Sequence, residues 1–284
     1  MTGHLLIFGL GYTAAILANH LRTAGWQVDA TGRAGNLAFS DRERVEAALA
    51  SASHVLSSVP PADEGDPVLD QYGAALAGKW LGYLSSTGVY GDTKGAWVDE
   101  SAPTGTGRRS ARAVCDARWR DAGAHVFRLP GIYGPGRSAF DRIADGRAHR
   151  IDLPGQVFSR VHVEDIARGV IAAMASALPA QPWNLADDLP CSQNAVIEHA
   201  CRLLSVPPPP LQTLDDAGLS PTARGFYLEN RRVANGKAKR LLGWRLHYPT
   251  YREGLAAIAQ GAAIAQGAAI AQGAAIAQGE RFAP

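Results

Sequence analysis

The sequence predicts an α/β fold in which helices cover both faces of a parallel sheet. Along the first half of the 284 residues, short apolar runs alternate with helical patterns, as they do in βαβ units. A glycine-rich turn follows the first apolar run, where a strand passes into a helix. The composition, 46% hydrophobic and 19% charged, is ordinary for a globular protein of enzyme size.

Five strands and two helices are predicted in the first half. Proline cannot extend a hydrogen-bonded ladder, so Pro60 and Pro130 mark the ends of two of the strands. The strands are Leu5–Phe8, Gln27–Thr31, His54–Val59, Trp80–Ser85 and Val126–Leu129, and the helices are Thr13–Ala24 and Asp41–Ala50.

The second half is less regular. Glu164 and Asp165 favour a helix start, because acids in a first turn complement the helix dipole. Gly243 is a typical helix stop. Helices are predicted at Val163–Met174, Asn194–Leu204 and Ala234–Leu242, with a strand at Trp183–Ala186.

Charge and cysteine content narrow the class of protein. The net charge of +2 comes from 28 basic and 26 acidic residues, which gives no reason to expect nucleic acid or an anionic membrane as a partner. Three cysteines without a C-x-x-C pair predict neither disulfides nor a metal site. No run reaches the roughly 20 apolar residues of a membrane helix. We therefore expect a cytoplasmic protein with a small-molecule substrate. The sequence leaves open whether the protein forms a homodimer.

The glycine-rich turn, GLGYTA, fits the pattern G-x-G-x-x-A between a strand and a helix. Gly9 permits the tight turn, and Gly11 lets the backbone approach a pyrophosphate. Ala14 lets the helix pack near the strand, and the N–H groups around Tyr12 and Thr13 face the phosphates. In this context the motif predicts a Rossmann fold that binds NAD(P).

The end of the second strand bears on the choice of cofactor. NAD-preferring folds place an acid there to bind the ribose hydroxyls. This chain has Thr31-Gly32-Arg33 instead, and the nearby acid, Asp29, lies inside the strand. Because an arginine suits a 2′-phosphate, the sequence favours NADP over NAD.

Five segments resemble one known family. They are Tyr83–Gly91 (YLSSTGVYG), Arg128–Arg137 (RLPGIYGPGR), Arg160–Gly169 (RVHVEDIARG), Trp183–Asp188 (WNLADD) and Lys237–Trp244 (KAKRLLGW). In this order they resemble the NAD-dependent epimerase/dehydratase family, within the extended and atypical short-chain dehydrogenase/reductase superfamily. The resemblance runs from about Leu5 to Leu255.

The resemblance implies a Rossmann sheet, a small C-terminal α+β lobe over the site, and nucleotide-sugars as the commonest substrates. It places the Rossmann domain at residues 1–136 and 161–187, and the lobe at 137–160 and 188–255. Further cofactor contacts are expected at Ser57, Val59 and Ser85.

In this family a Ser or Thr hydrogen-bonds the reacting oxygen, and Ser86 stands at that position. The next two residues are Thr87 and Gly88, where sugar 4,6-dehydratases have Asp-Glu. The acid and base for eliminating water are therefore missing, and we reject a dehydratase.

The family's Tyr-x-x-x-Lys pair is also missing. Its place holds Arg108 and Arg112, and no tyrosine occurs between Tyr90 and Tyr133. An arginine at position 112 keeps the positive charge of the lysine near the ribose. Arg108 cannot exchange a proton near neutral pH, because a guanidinium does not deprotonate there.

Three residues are candidates for the missing proton donor. Tyr133 follows a strand end on the cofactor side and is the first choice; His162 titrates in the useful range, and Tyr90 is the third. Two hypotheses remain: an atypical NAD(P)-dependent oxidoreductase or epimerase-like enzyme, and a catalytically silent NAD(P)-binding sensor.

The C-terminal segment, residues 256–284, contains the hexamer AAIAQG four times. Six residues advance a helix by about 600°, so the isoleucines form no single stripe. We expect a frayed extension of a final helix and assign it no function.

Overall fold

A six-stranded parallel sheet forms the centre of the protein. This computed structural model describes residues 2–62, 65–107 and 110–262. The strands are β1 (His4–Phe8), β2 (Gln27–Ala30), β3 (His54–Ser57), β4 (Trp80–Ser86), β5 (Trp97–Val98), β6 (His125–Leu129), β7 (Gly131–Tyr133), β8 (Arg150–Ile151), β9 (Arg160–His162), β10 (Pro182–Asn184), β11 (Leu211–Gln212) and β12 (Arg232–Val233). The order in the central sheet is β2-β1-β3-β4-β6-β10, with every neighbouring pair parallel.

Helices pack on both faces of this sheet. They are α1 (Tyr12–Thr23), α2 (Arg42–Ser51), α3 (Pro67–Tyr72), α4 (Ser110–Asp121), α5 (Ala139–Ala144), α6 (Val163–Ala175), α7 (Gln193–Leu204), α8 (Pro221–Gly225) and α9 (Gly236–Leu241). Residues 251–262 are also helical, and 3₁₀ turns lie at Gly73–Leu76, Thr87–Tyr90 and Phe226–Leu228.

The alternation of side chains along β1 separates two cores. Leu5 and Ile7 pack with α1 and α6, whereas Leu6 and Phe8 pack with α2, α3 and α4. All four side chains are fully buried, as expected for a strand covered on both faces. The predicted α/β class with a doubly wound parallel sheet is confirmed.

Smaller clusters lie beyond the carboxyl edge of the sheet. One joins Tyr133 to α5, α7 and the helix at 251–262, and another joins Val89 and Tyr90 to Val98 and Val233. Short parallel pairs, β5 with β12, β7 with β9 and β8 with β11, connect these segments. The division of the chain into a Rossmann domain and a lobe at the stated boundaries stays a prediction.

Most predicted elements are present with ends shifted by one or two residues. The strand at Trp183 joins the sheet beside β6, as expected. The helix predicted from Ala234 begins at Gly236, because the preceding residues, 232 and 233, pair with β5. Helix α4 was not predicted: its sequence is polar, and it buries only Cys115, Asp116 and Trp119. The predicted fraying of the repeat lies outside the described residues from position 263 onward.

Alternating tryptophan and histidine rings line the amino-terminal edge of the sheet. Trp80 stacks on His125 at 5.3 Å between ring centroids, and His125 stacks on Trp183 at 6.2 Å. The indole N–H of Trp183 donates to Nδ1 of His125 over 3.0 Å. Burial lowers the pKa of His125 to about 4, so this imidazole is neutral near pH 7.

This pKa predicts a loss of stability in mild acid. A histidine whose pKa is lower in the folded state than in the unfolded state stabilises the fold fully above about pH 6.5, and this stabilisation falls as the pH drops towards 4. A difference of two to three units corresponds to about 3 kcal/mol. In His125→Asn the amide oxygen replaces the acceptor but cannot titrate. The free energy of unfolding, measured by urea denaturation between pH 7 and 4, should fall less steeply in the variant. Equal slopes in both proteins would show that His125 does not cause the loss.

Candidate functional site

The tight turn after β1 is held between the ends of two neighbouring strands. The N–H of Gly9 donates to Oγ1 of Thr31 over 3.1 Å, and the hydroxyl of Ser58 donates to the carbonyl of Gly9. Gly9 has φ +85°, and a Cβ there would lie 3.2 Å from atoms of both Ser58 and Val59. Glycine is therefore required by conformation and by space. β1 lies between β2 and β3, so the turn stands at the switch point of the sheet.

Gly11 opens this turn towards solvent at the start of α1. It is the N-cap of the helix, and no side chain accepts from the first-turn N–H groups there. The first turn contains no acid, and a Cβ on Gly11 would meet no atom within 4 Å. Free N–H groups and the positive end of the helix dipole favour an anion at such a place. A pyrophosphate would fit here. The turn Gly9–Gly11 together with the first-turn N–H groups of α1 is called the cradle below.

Tyr12 fixes the cradle to a second loop. Its hydroxyl donates to the carbonyl of Pro135 over 3.0 Å, and the guanidinium of Arg137 lies 5.7 Å from its ring centroid. The hydroxyl fills the space that a side chain at Gly134 would need. Thr13 is half-buried and Ala14 is buried against the sheet. These contacts fix the turn after β1 and the loop at 134–137 relative to each other.

The loop after β2 presents Arg33 to solvent. Gly32, at φ +107°, packs against the backbone of Leu10, whose N–H donates to the carbonyl of Thr31 over 2.8 Å. Within the described residues the guanidinium of Arg33 forms no ion pair. An exposed, unpaired arginine thus stands close to the cradle.

Asp29 is engaged elsewhere. Its carboxylate lies 2.7 Å from Nε2 of His4 and accepts from the amide of Asn36 over 2.7 Å. Burial raises the pKa of Asp29, but the hydrogen bonds from Asn36, His4 and Gln27 outweigh it, and the pKa is lowered. Its oxygens are therefore occupied by protein groups rather than directed to a ribose.

Two of the three further cofactor contacts face the protein interior. Ser57 is fully buried, and its Oγ accepts from the N–H of Val59 over 3.4 Å. Ser85 is 5% exposed, and its hydroxyl donates to Asp116 over 2.7 Å. Both serines thus make contacts within the fold, and their contact with a cofactor stays a prediction. Val59 is half-buried beside Gly9 and remains a candidate contact.

Ser86 ends β4 at the carboxyl edge and is half-buried. Its Oγ accepts from the N–H of Gly88 over 3.1 Å. Because that bond uses only a lone pair, the O–H of Ser86 can donate to another group. Ser86 is thus the candidate catalytic residue whose geometry suits the expected role.

Arg112 does not point freely towards a ribose. Its Nη1 donates to the hydroxyl of Tyr83 over 3.3 Å, and Tyr83 stacks on Trp119 at 5.4 Å. Burial raises the pKa of Tyr83, so this phenol stays neutral. Arg112 therefore contacts the sheet through Tyr83, and its contact with a cofactor stays a prediction. Arg108 lies outside the described residues.

Tyr133, the first choice for the proton donor, packs against the helix at 251–262. Its hydroxyl donates to the carbonyl of Thr250 over 3.3 Å, and its ring fills the space beside Gly254. The side chain is 8% exposed, and burial raises its pKa. This phenol joins β7 to the start of the helix at 251–262, and its role as a proton donor stays a prediction.

His162 caps a helix instead of exchanging protons. Its Nδ1 accepts from the N–H of Glu164 over 3.3 Å, and its ring packs against Tyr133 and Tyr248. Burial lowers its pKa to about 4, so it carries no acidic proton near pH 7. The third candidate, Tyr90, has a buried hydroxyl that donates to Asn184 over 2.8 Å.

The sequence interpretation missed a buried ion pair beneath Ser86. Arg128, in the middle of β6, binds Asp116 of α4, and both side chains are 1% exposed. An arginine inside the apolar run HVFRL is the signal that could have revealed it, since an arginine is almost never fully buried unless paired.

The described residues contain neither a metal-ligand cluster nor a membrane-spanning helix. No group of three or more His, Cys, Asp or Glu residues among them has the arrangement of a metal site. No helix in the described ranges has the length and apolar character to cross a membrane.

Comparison with known proteins places the fold. No family model matches the chain. A solved protein of unknown function from Silicibacter pomeroyi is 42% identical, with a TM-score of 0.81, and the match covers 92% of this chain and 99% of that one. The chain belongs to the same family as that protein.

Its fold is that of the NAD-dependent epimerase/dehydratase proteins of the short-chain dehydrogenase/reductase superfamily. A human epimerase family protein, solved with NADPH, is 16% identical with a TM-score of 0.72, over 90% of this chain and 99% of that one. Solved dehydratases and epimerases acting on sugar nucleotides have the same fold.

One curated relative has a described activity. A 3-diazoavenalumate denitrifying reductase from a Streptomyces species is 31% identical over 146 residues, which are 48% of this chain and 47% of that protein. The match spans about half the length of that reductase. The chain thus has a partial likeness to a reductase and the fold of epimerases.

Proposed function

We propose that the protein is an NAD(P)-dependent oxidoreductase or epimerase-like enzyme acting on a small polar metabolite, with nucleotide-sugars as the leading substrate class. The observation that carries this proposal is the open cradle at Gly11, where free N–H groups of α1 meet empty space. The partial likeness to a reductase supports oxidoreduction. The epimerases and dehydratases with this fold support a sugar nucleotide.

We propose NADP(H) as the preferred cofactor. Arg33 is exposed, unpaired within the described ranges and next to the cradle, so its guanidinium can pair with a 2′-phosphate. Asp29, which would favour NAD, is held by His4 and Asn36. A human protein with this fold has been solved with NADPH, whereas a bacterial dehydratase has been solved with NAD.

The residues of the chain would divide the work as follows. The N–H groups at the start of α1 bind the pyrophosphate, and Tyr12 keeps that turn against the loop at 134–137. The bound nicotinamide supplies or accepts a hydride. The hydroxyl of Ser86 donates to the substrate oxygen on which charge develops.

The proton for that oxygen would come from water. Tyr133 and Tyr90 are buried and hydrogen-bonded within the protein, and His162 is neutral with its pKa near 4. Ser86 is half-buried at the carboxyl edge of the sheet, where a water molecule can donate a proton to the substrate oxygen and leave as hydroxide. This assignment replaces Tyr133 as the first choice.

A second candidate is an NAD(P)-binding sensor without catalysis. Two contacts favour it: Arg112 is bonded to Tyr83, and Tyr133 is bonded to Thr250. In a sensor these residues would serve the fold alone, and nucleotide binding at the cradle would be the whole activity.

The cofactor proposal predicts a selectivity change. Arg33→Asp should abolish the preference for NADPH over NADH, because it removes the partner of the 2′-phosphate and adds a repelling charge. Isothermal titration calorimetry measures both affinities. Arg120→Asp, a charge reversal of an exposed arginine in the last turn of α4, is the matched control and should keep the preference. Equal affinities of the parent protein for the two nucleotides would contradict the role of Arg33.

The catalytic proposal predicts a loss of rate without a loss of binding. With NADPH and 9,10-phenanthrenequinone as the hydride acceptor, Ser86→Ala should lower kcat about 100-fold, the usual effect of removing such a donor. The affinity for NADPH should stay the same, since the serine lies beyond the pyrophosphate turn. Absorbance at 340 nm follows the reaction.

Unchanged turnover in Ser86→Ala would contradict the role of this hydroxyl. NADPH binding with no hydride transfer to the quinone, to UDP-4-keto sugars or to an arenediazonium salt would favour the sensor.

A further inference from the structure

A buried network of charged and polar groups lies directly beneath the strand end that carries Ser86. Nη2 of Arg128 donates to Oδ1 of Asp116 over 2.8 Å, and Nε donates to Oδ2 over 3.1 Å. This is a two-pronged pairing of guanidinium and carboxylate, with both side chains 1% exposed. The network joins α4 to β6 through the core.

The burial of this ion pair carries an unfavourable free energy. Moving two charges out of water carries a desolvation penalty, and apolar residues of the same volume often serve stability as well or better. Such a pair is useful when it must hold specific atoms in place, because its hydrogen bonds have fixed directions. What Asp116 and Arg128 hold can be read from their remaining bonds.

Those bonds reach both ends of one short segment. At its beginning, the hydroxyl of Ser85 donates to Oδ2 of Asp116 over 2.7 Å. At its end, the hydroxyl of Tyr90 accepts from Nη1 of Arg128 over 3.0 Å and donates to Asn184 over 2.8 Å. The segment is residues 85–90, which contains the last two residues of β4 and the following 3₁₀ turn.

Ser86 lies inside this segment and is fixed by it. Its backbone pairs with Leu129 in the sheet, one residue after the pairing of Ser85 with Arg128. Its Oγ accepts from the N–H of Gly88, which is also within the segment. Neither the backbone nor the Oγ of Ser86 is hydrogen-bonded to Asp116 or Arg128. The ion pair therefore acts on Ser86 only through the neighbouring residues of the segment.

We propose that Asp116 and Arg128, through Ser85 and Tyr90, are positioning residues that set where the Ser86 hydroxyl stands relative to the cofactor cradle. The proposal rests on the proposed function, in which Ser86 donates to the reacting oxygen. It adds that four residues without contact to substrate control the rate. A displacement of about 1 Å at a reacting group can cost about 100-fold in rate.

A purely structural network would behave differently. Removing a hydrogen bond from such a network would lower the melting temperature and leave the kcat of the folded protein unchanged. A positioning network would lower kcat while KM and nucleotide affinity stay near their parent values. The split between kcat and KM therefore separates the two roles.

The experiment compares two mild variants with one matched control. Ser85→Ala and Tyr90→Phe each remove one hydroxyl from the network and leave the ion pair intact. The control is Tyr72→Phe: Tyr72 is also 2% exposed, and its hydroxyl donates to the carbonyl of Phe39, outside the network. Asp116→Asn is avoided as the main variant, because it leaves a buried guanidinium without its counterion, which strongly destabilises a fold.

For each protein we would measure kcat and KM for reduction of 9,10-phenanthrenequinone, the affinity for NADPH, and amide hydrogen exchange in residues 86–91. We expect kcat to fall at least about tenfold in Ser85→Ala and Tyr90→Phe, with KM and NADPH affinity within about threefold of the parent. Exchange in residues 86–91 should become faster in both variants. The control should match the parent in all of these.

Other outcomes separate the two proposals. If the parent turns over the quinone and both variants keep its kcat, the positioning role is overturned and the proposed function stands. If the parent shows no hydride transfer, the catalytic proposal fails, and hydrogen exchange then decides. Faster exchange at 86–91 in both variants but not in the control supports positioning of this segment, and unchanged exchange overturns it.

Discussion

The site depends on the clamp that holds Gly9 between the ends of β2 and β3. Thr31 accepts from the N–H of Gly9 through its hydroxyl and from the N–H of Leu10 through its carbonyl, while Ser58 donates to the carbonyl of Gly9. These bonds close the turn tightly, so that the next glycine faces open space. The anion-binding end of α1 is therefore prepared before any ligand arrives.

A second set of contacts holds the end of β4 and the loop after β7. The pair of Asp116 and Arg128 ties α4, β4 and β6 together beneath Ser86, and Tyr12 ties the cofactor turn to the loop at 134–137. Both connections meet at the carboxyl edge of the sheet, where ligands of open α/β folds bind. The turn after β1 and the end of β4 are thus held by separate sets of contacts on one sheet.

The fold and the cofactor turn could be predicted from the sequence, because both depend on local patterns. Apolar runs, prolines and the spacing of Gly9 and Gly11 act over a few residues. The contacts of the other candidate site residues could not be predicted, and the reason is non-local. The hydroxyl of Tyr133 donates to the carbonyl of Thr250, which is 117 positions away. The hydroxyl of Ser85 donates to Asp116, which lies in a helix that its polar sequence did not predict. Burial and distant partners, which decide pKa values and hydrogen bonds, leave no local pattern.

The most direct test of the account is the affinity of Gly11→Ala for NADP⁺, measured by calorimetry alongside its melting temperature. The added methyl meets no protein atom within 4 Å and the backbone at φ −89° accepts alanine, so the fold should lose no more than the roughly 1 kcal/mol by which glycine is preferred over alanine at an N-cap. Binding should weaken at least about tenfold, or about 1.4 kcal/mol, because the methyl occupies the place of the pyrophosphate. Gly73→Ala, also without neighbours within 4 Å, should change neither quantity. Parent-like affinity in Gly11→Ala would contradict the cradle as the nucleotide site.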